Sequence, residues 1–204
     1  MQTAAPIESD NCKWDRLGQG LTIVAAVVSL GFGVKTTAAA VFDSQPSDDK
    51  IKAGLSMAIP RIKESEGFRA KPYNDRTGVM TIGYGETNPA VVAKGIITEL
   101  EAASLMSTRL ERDFLRPSLA LLSKDTRNNL TAGQYAAIGS FSYNTGITGF
   151  QKSSFGANLI KGDIEAAKAA LPHSYVNKGT NVEHGLRNRR QDELKMFNGS
   201  EGTK

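Results

Sequence analysis

The sequence predicts an α+β fold that is mainly helical, with one small β-hairpin beside a larger set of helices. Three observations carry this. Ile51, Leu55, Ala58, Ile59 and Ile62 recur at helical spacing. Turn-forming Asp75-Arg76-Thr77-Gly78 lies between Lys71-Pro72-Tyr73 and the β-favouring run Val79-Met80-Thr81-Ile82, the pattern of a hairpin. Thr98 with Glu101, and Thr131 with Gln134, have the spacing of helix capping boxes.

The first element in chain order is an uncharged run over residues 17 to 34, preceded by Lys13 and Arg16 and followed by Lys35. A helix needs about 20 apolar residues to cross a bilayer. This run is at the short end and is diluted by Gly18, Gly20, Gly31 and Gly33. Positive charges ahead of it favour a cytoplasmic start. Three readings stay open. It is a weak membrane anchor, a cleaved signal peptide with Ala38-Ala39-Ala40 as the small-residue site, or a buried helix of a soluble protein. Residues 1–42 form this segment. The polar stretch 43–50, with Pro46 and two serines, reads as a linker, and 51–204 as the main domain.

The helix over the Ile51–Ile62 pattern is expected to start near Ser56, with Pro60 in its first turns, or to consist of two segments meeting at a kink. Glu66 ends it. At about 100° per residue, Glu66 projects onto the edge of the apolar face, and Glu64 projects to solvent. In the second strand Val79, Thr81 and Gly83 share one face, with Met80, Ile82 and Tyr84 on the other. A helix from Thr98 runs toward Arg116 and is interrupted at Pro117. The helix after Thr131 is expected to end at Gly146. Shorter helices follow over 154–161, 163–171 and 183–197.

Glu66 and Asp75 stand nine positions apart, and Thr81 follows six later. Glycosidic cleavage uses two carboxyl groups, one protonated to assist the leaving oxygen and one ionised to act on water or on the sugar. A carboxyl partly removed from water is harder to ionise, which suits Glu66 to the acid role. Spacing alone does not separate this from a helix-end glutamate, a turn-forming aspartate and an ordinary strand threonine.

The surrounding residues do. Glu66-Gly67-Phe68-Arg69-Ala70-Lys71-Pro72-Tyr73-Asn74-Asp75, followed by Thr81-Ile82-Gly83-Tyr84-Gly85, resembles the catalytic signature of the phage-type lysozymes, glycoside hydrolase family 24. Ser140-Phe141-Ser142-Tyr143-Asn144-Thr145-Gly146 resembles a second segment of that family. Gly185-Leu186-Arg187-Asn188-Arg189-Arg190 with Glu193, Leu194 and Phe197 resembles its C-terminal helix. The likeness covers roughly residues 52 to 200. It implies a lysozyme-like fold, a hairpin lobe and a helical lobe enclosing a cleft. It also implies hydrolysis of the β-1,4 bond between N-acetylmuramic acid and N-acetylglucosamine in peptidoglycan. Glu66 would be the acid, Asp75 with Thr81 would activate water, and Tyr84, Tyr143 and Asn144 would contact sugar. Glu86 departs from the pattern, since many members carry His there. The weakly hydrophobic N-terminus resembles the signal-anchor-release segment of some phage endolysins. That implies transient attachment to the host inner membrane through residues 17–42, then release into the periplasm. A lysozyme carried in the virion, or a wall-binding protein without the chemistry, are the alternatives.

Composition agrees with a wall-directed globular protein. The chain has 204 residues, 40% hydrophobic and 23% charged, and a net charge of +4. A basic balance suits an anionic partner, and cell wall, membrane surface and nucleic acid all qualify. The cluster Arg187-Asn188-Arg189-Arg190 reads as a solvated or ion-paired helix face rather than a nucleic-acid site. Cys12 is the only cysteine, and His173 and His184 are isolated. No cofactor, no metal, no nucleic-acid partner and a monomer are expected.

Overall fold

The computed structural model describes residues 47–75 and 78–199. The N-terminal segment and the first half of the linker lie outside the described residues. Helix α1 spans Asp48–Glu66. It begins eight residues before Ser56 and takes in the end of the expected linker. Ile51, Leu55, Ala58 and Ile62 are buried, as the periodicity predicts. Gly54 lets the helix approach closely, because a Cβ there would stand 2.8 Å from Tyr135 Cβ. Pro60 lies inside the helix on its exposed side. The backbone bond that proline removes is therefore lost where water can replace it. Packing of the apolar face outweighs that local cost, so the helix starts well before Pro60 rather than near Ser56.

The chain leaves α1 through Gly67, at φ 69°. Strands β1 (Arg69–Asn74) and β2 (Met80–Gly83) pair antiparallel, with Tyr73 opposite Thr81 and Asn74 opposite Met80. Asp75 organises the turn: its Oδ1 accepts from Val79 N at 2.8 Å, and its carbonyl accepts from Gly78 N at 3.1 Å. A second tight turn follows, closed by an Ile82–Glu86 bridge. Gly83 is required there twice over, by φ 66° and by an Ala102 Cβ that would stand 2.9 Å from any added methyl.

Short α2 (Pro89–Val92) leads to α3 (Glu99–Arg109), whose Thr98 hydroxyl accepts from Glu101 N. The expected interruption at Pro117 takes a different form. The helix widens into a π-helical stretch over Leu110–Leu115, and Pro117 then sits in the first turn of α4 (Arg116–Ala120). A proline has no N–H for the i−4 carbonyl, so a change of winding ahead of it costs little. Helix α5 is Lys124–Asn129.

Helix α6 (Ala132–Lys152) carries the predicted capping box with both bonds made. Gly146, at φ 73° and ψ 165°, breaks the helical path, but helix resumes beyond it to Lys152. The remaining elements are α7 (Ser154–Ile160), α8 (Ile164–Ala170) and α9 (Glu183–Phe197), close to the predicted spans. The helical core is built on Phe141, Phe150, Phe155 and Phe197, whose rings meet at 5.1–6.3 Å. The fold is thus mainly helical with a small two-stranded antiparallel sheet. Among the described residues no helix is long and apolar enough to cross a membrane.

Candidate active site

Glu66, Asp75 and Thr81 line one cavity of about 250 Å³, together with Tyr73, Arg109, Phe114, Tyr143 and Asn144. Each reaches it for a local reason. Glu66 is the last residue of α1, where the helix stops at Gly67. Asp75 is held at the hairpin turn by its own bond to Val79 N. Thr81 is only 3% exposed, and its hydroxyl donates to the Val79 carbonyl at 3.0 Å. Tyr143 and Asn144 lie on α6 just before its break at Gly146.

Two side chains from the helices bind the turn between the hairpin and α2. The Tyr143 hydroxyl donates to the Tyr84 carbonyl at 2.8 Å. The Arg109 Nη1 donates to the Gly85 carbonyl at 2.7 Å. The Tyr143 ring packs on Phe114 at 5.1 Å. Burial pushes the Tyr143 hydroxyl up to about 12, so it keeps its proton at neutral pH.

Tyr84 is placed elsewhere, and the sugar-contact expectation is corrected for it. Its ring is buried beside Phe68, and its hydroxyl donates to Glu99 Oε1 at 2.7 Å. Lys63 lies 5.2 Å from the ring centre and pairs with Glu99 at 2.9 Å. The Lys63 ammonium and the Tyr84 hydroxyl hold the Glu99 carboxyl below the usual range. Tyr84 lies just beyond β2, in the turn after Gly83, and packs its ring into the buried core rather than into the cavity. The only part of Tyr84 engaged from the cleft side is its carbonyl.

Glu66 is 28% exposed and forms an ion pair, with Arg189 Nη1 donating to Oε1 at 2.8 Å. The sequence argument considered burial alone, and the structure adds this guanidinium. Arg190 Nη2 donates to Asn144 Oδ1 at 3.0 Å. Both arginines converge on Glu193, which is buried and also accepts from the Ser140 hydroxyl at 2.9 Å. Of the solvated or ion-paired face expected for 187–190, the ion-paired alternative is the one found, with Arg187 on Glu183, Arg189 on Glu66 and Arg190 on Glu193. Arg190 is buried and lies 4.3 Å from the Phe141 ring centre. Burial pushes the Glu193 carboxyl up. An arginine cannot give up its proton in a protein, so Arg190 requires a buried anion and the pair stays ionic.

Arg109 and Phe114 line the cavity, and Arg189, Arg190 and Glu193 stand behind Glu66 and Asn144; the sequence reading assigned none of them to the site. For Arg189, Arg190 and Glu193 a signal existed: an i,i+3 and i,i+4 set of opposite charges on an otherwise amphipathic helix. Glu86, at the position that departs from the family pattern, caps the next turn. Its Oε1 accepts from Thr87 N at 2.9 Å and Asn88 N at 2.7 Å. It lines a neighbouring cavity of about 500 Å³ that shares Thr87 and Arg109 with the cleft. Among the described residues no group of three His, Cys, Asp or Glu is placed to hold a metal ion.

Comparison with known proteins agrees with this arrangement. The Phage lysozyme family model matches residues 63–193. An endolysin of Acyrthosiphon pisum secondary endosymbiont phage 1 is 34% identical over 139 residues, 67% of this chain and 91% of that protein. A SAR-endolysin of Escherichia phage Mu is 30% identical over 133 residues, 65% of this chain and 74% of that protein. The solved structure of the endolysin from Escherichia coli O157:H7 phage FAHEc1 aligns with TM-score 0.55 and 26% identity, over 75% of this chain and 95% of its own. The match spans both carboxylates of the cleft and the arginine helix behind Glu66, and the chain belongs to the phage lysozyme family.

Proposed function

We propose that this protein is a phage endolysin that cleaves the β-1,4 bond between N-acetylmuramic acid and N-acetylglucosamine in peptidoglycan, for host cell lysis. The observation that supports it is the meeting of Glu66, Asp75 and Thr81 in one cavity from a helix end, a turn and a strand. In this reading Glu66 gives its proton to the leaving glycosidic oxygen as the C–O bond breaks. Asp75 takes a proton from the attacking water, which Thr81 helps to hold. The ring oxygen carries the positive charge that develops between these steps. Glu66 is left as an anion facing Arg189, which favours that product state. Attack from the face opposite the leaving group inverts the anomeric carbon. Asn144 and Tyr143 are assigned to sugar binding.

Glu66→Gln tests the reading. The amide keeps the shape and cannot donate the required proton. Muralytic turnover on chloroform-treated Gram-negative cells is expected to fall by at least about a hundredfold, the usual scale of general acid catalysis. Turnover within tenfold of wild type sinks the assignment. Glu64→Gln, on the exposed side of α1, is the control and should change little.

The proposal extends to location. SAR-endolysins are among the matched proteins, and residues 17–42 have the charge pattern of a weak signal-anchor. The protein would reach the periplasm attached to the inner membrane and then leave it.

A further inference from the structure

Four charged side chains on two helices form one connected set. Glu66, at the end of α1, meets Arg189 Nη1 at 2.8 Å. Arg189 Nε lies 3.6 Å from Glu193 Oε1. Arg190 Nη2 is shared, at 2.9 Å from Glu193 Oε1 and 3.0 Å from Asn144 Oδ1. Its Nε lies 2.7 Å from Glu193 Oε2. One buried carboxylate therefore reaches two cleft groups, each through one arginine.

This arrangement is costly unless it is used or balanced. Two guanidinium groups on consecutive residues repel each other, and both are largely removed from water. Two cations balance two anions while Glu66 is ionised. Once Glu66 carries a proton, the cations exceed the anions by a single charge. Without Glu193 the excess would exist in both states and would be larger in the second. An acid catalyst must hold its proton until the bond breaks. Arg189 opposes that before the step and favours the anion after it. Glu193 shares Arg189 and so moderates its pull.

We propose that Glu193 is the positioning residue of this cleft: it holds Arg189 against Glu66 and Arg190 against Asn144, and it offsets the charge of Arg189 beside Glu66. The catalytic half rests on the reading of Glu66 as the acid. A purely structural role for Glu193 would anchor α9 to α6 and leave Glu66 unaffected. Other charged or titratable groups share the Glu66 cleft: Tyr143 from α6, Asp75 and Tyr73 from the hairpin, and Arg109 from α3. Asp75→Asn is the background that separates its titration from that of Glu66.

The test is a carboxyl ¹³C titration by NMR of the full chain labelled at glutamate, with the Glu66 signal identified by its loss in Glu66→Gln. Glu193→Gln should move the Glu66 midpoint down by about one pH unit, the scale of a nearby charge. Arg189→Gln should move it up. Adding Glu193→Gln to Arg189→Gln should shift it less than Glu193→Gln does alone, and Glu193→Asp should keep the wild-type midpoint. If Glu193→Gln leaves the midpoint in place or raises it, the proposal is overturned, whatever Arg189→Gln does. Should Glu193→Gln fail to fold, Arg189→Gln decides, and an unmoved midpoint there also overturns it. The alkaline limb of kcat on cell wall should move with the midpoint. Shifted midpoints in a chain whose wild type lacks muralytic turnover would reject the enzyme reading and leave the charge coupling standing.

Discussion

Two tyrosines show how single residues divide the work. Tyr143 points its hydroxyl at the Tyr84 carbonyl, while the hydroxyl of Tyr84 points away to Glu99. Tyr143→Phe removes the donor that holds the turn carrying Gly85 beside Glu66. It should cost about 1–3 kcal/mol, the range for a buried acceptor left without its partner, and should raise KM. Tyr84→Phe should leave turnover within about twofold and lower stability by about 1 kcal/mol, as expected for one net hydrogen bond. Urea titration and wall-lysis kinetics on the same preparations check both. A large loss of turnover in Tyr84→Phe would restore it to the substrate site. Asp75→Asn and Thr81→Ala should both lower kcat more than they raise KM, because the proposed mechanism has both act on the attacking water. A raised KM with unchanged kcat would make the affected residue a sugar ligand instead.

At the scale of elements, Pro60 marks a local rule overridden by packing. Helix α1 continues through it because Ile51, Leu55, Ala58 and Ile62 bury one face, and because the lost backbone bond falls on the exposed side. Pro60→Ala should therefore stabilise the protein. Proline costs about 3 kcal/mol in a helix interior, and its stiffening of the unfolded chain returns up to about 1 kcal/mol. The net gain should be roughly 2 kcal/mol, with muralytic activity unchanged. A lower melting temperature in Pro60→Ala would mean that the proline makes a packing contact the helix needs. Gly83 is the opposite case. Both its φ of 66° and the close Ala102 Cβ forbid a side chain, so Gly83→Ala should loosen the strand that carries Thr81. Activity should fall with stability in that variant, measured as melting temperature and lysis rate together.

At the scale of the whole molecule, the proposal is that residues 17–42 carry the lysozyme domain to the membrane. The proposed anchor makes a separable expectation. A chain beginning at Ser47 keeps the start of α1, including the Ser47 carbonyl that accepts from Ile51 N. It should lyse permeabilised cells and fail to lyse intact ones from within. In the full chain, replacing Gly31 and Gly33 with Leu should hold the protein in the membrane fraction and delay lysis. Each central Leu favours insertion by about 0.3–0.6 kcal/mol on an insertion scale, and the change from Gly is larger. Fractionation of tagged protein before and after an uncoupler is the measurement. Wild type already soluble and full-length before the uncoupler would reject the anchor.

The sequence by itself determined the fold class, the hairpin and the two capped helices, and its family resemblance singled out Glu66, Asp75 and Thr81, which the fold brings to one cavity. These rest on short-range information. Glu66, Asp75 and Thr81 fall within one stretch of sixteen residues, and turn chemistry and periodicity place them without knowledge of distant contacts. Tertiary structure alone decided what surrounds them. Arg189 meets Glu66 across 123 positions, and Arg190 meets Asn144 across 46. The i,i+3 and i,i+4 charge spacing signals that Arg189, Arg190 and Glu193 pair, but the same spacing serves a solvated helix face, so burial of the set is decided only by the helices packed on it. The direction of Tyr84 was decided the same way. Alternation runs out at Gly83, where β2 ends, and the contacts of Tyr84 with Phe68, Lys63 and Glu99 decide that its ring is core. Pairing across such distances sets where charge can be buried, and that is what makes a helix end into a candidate acid.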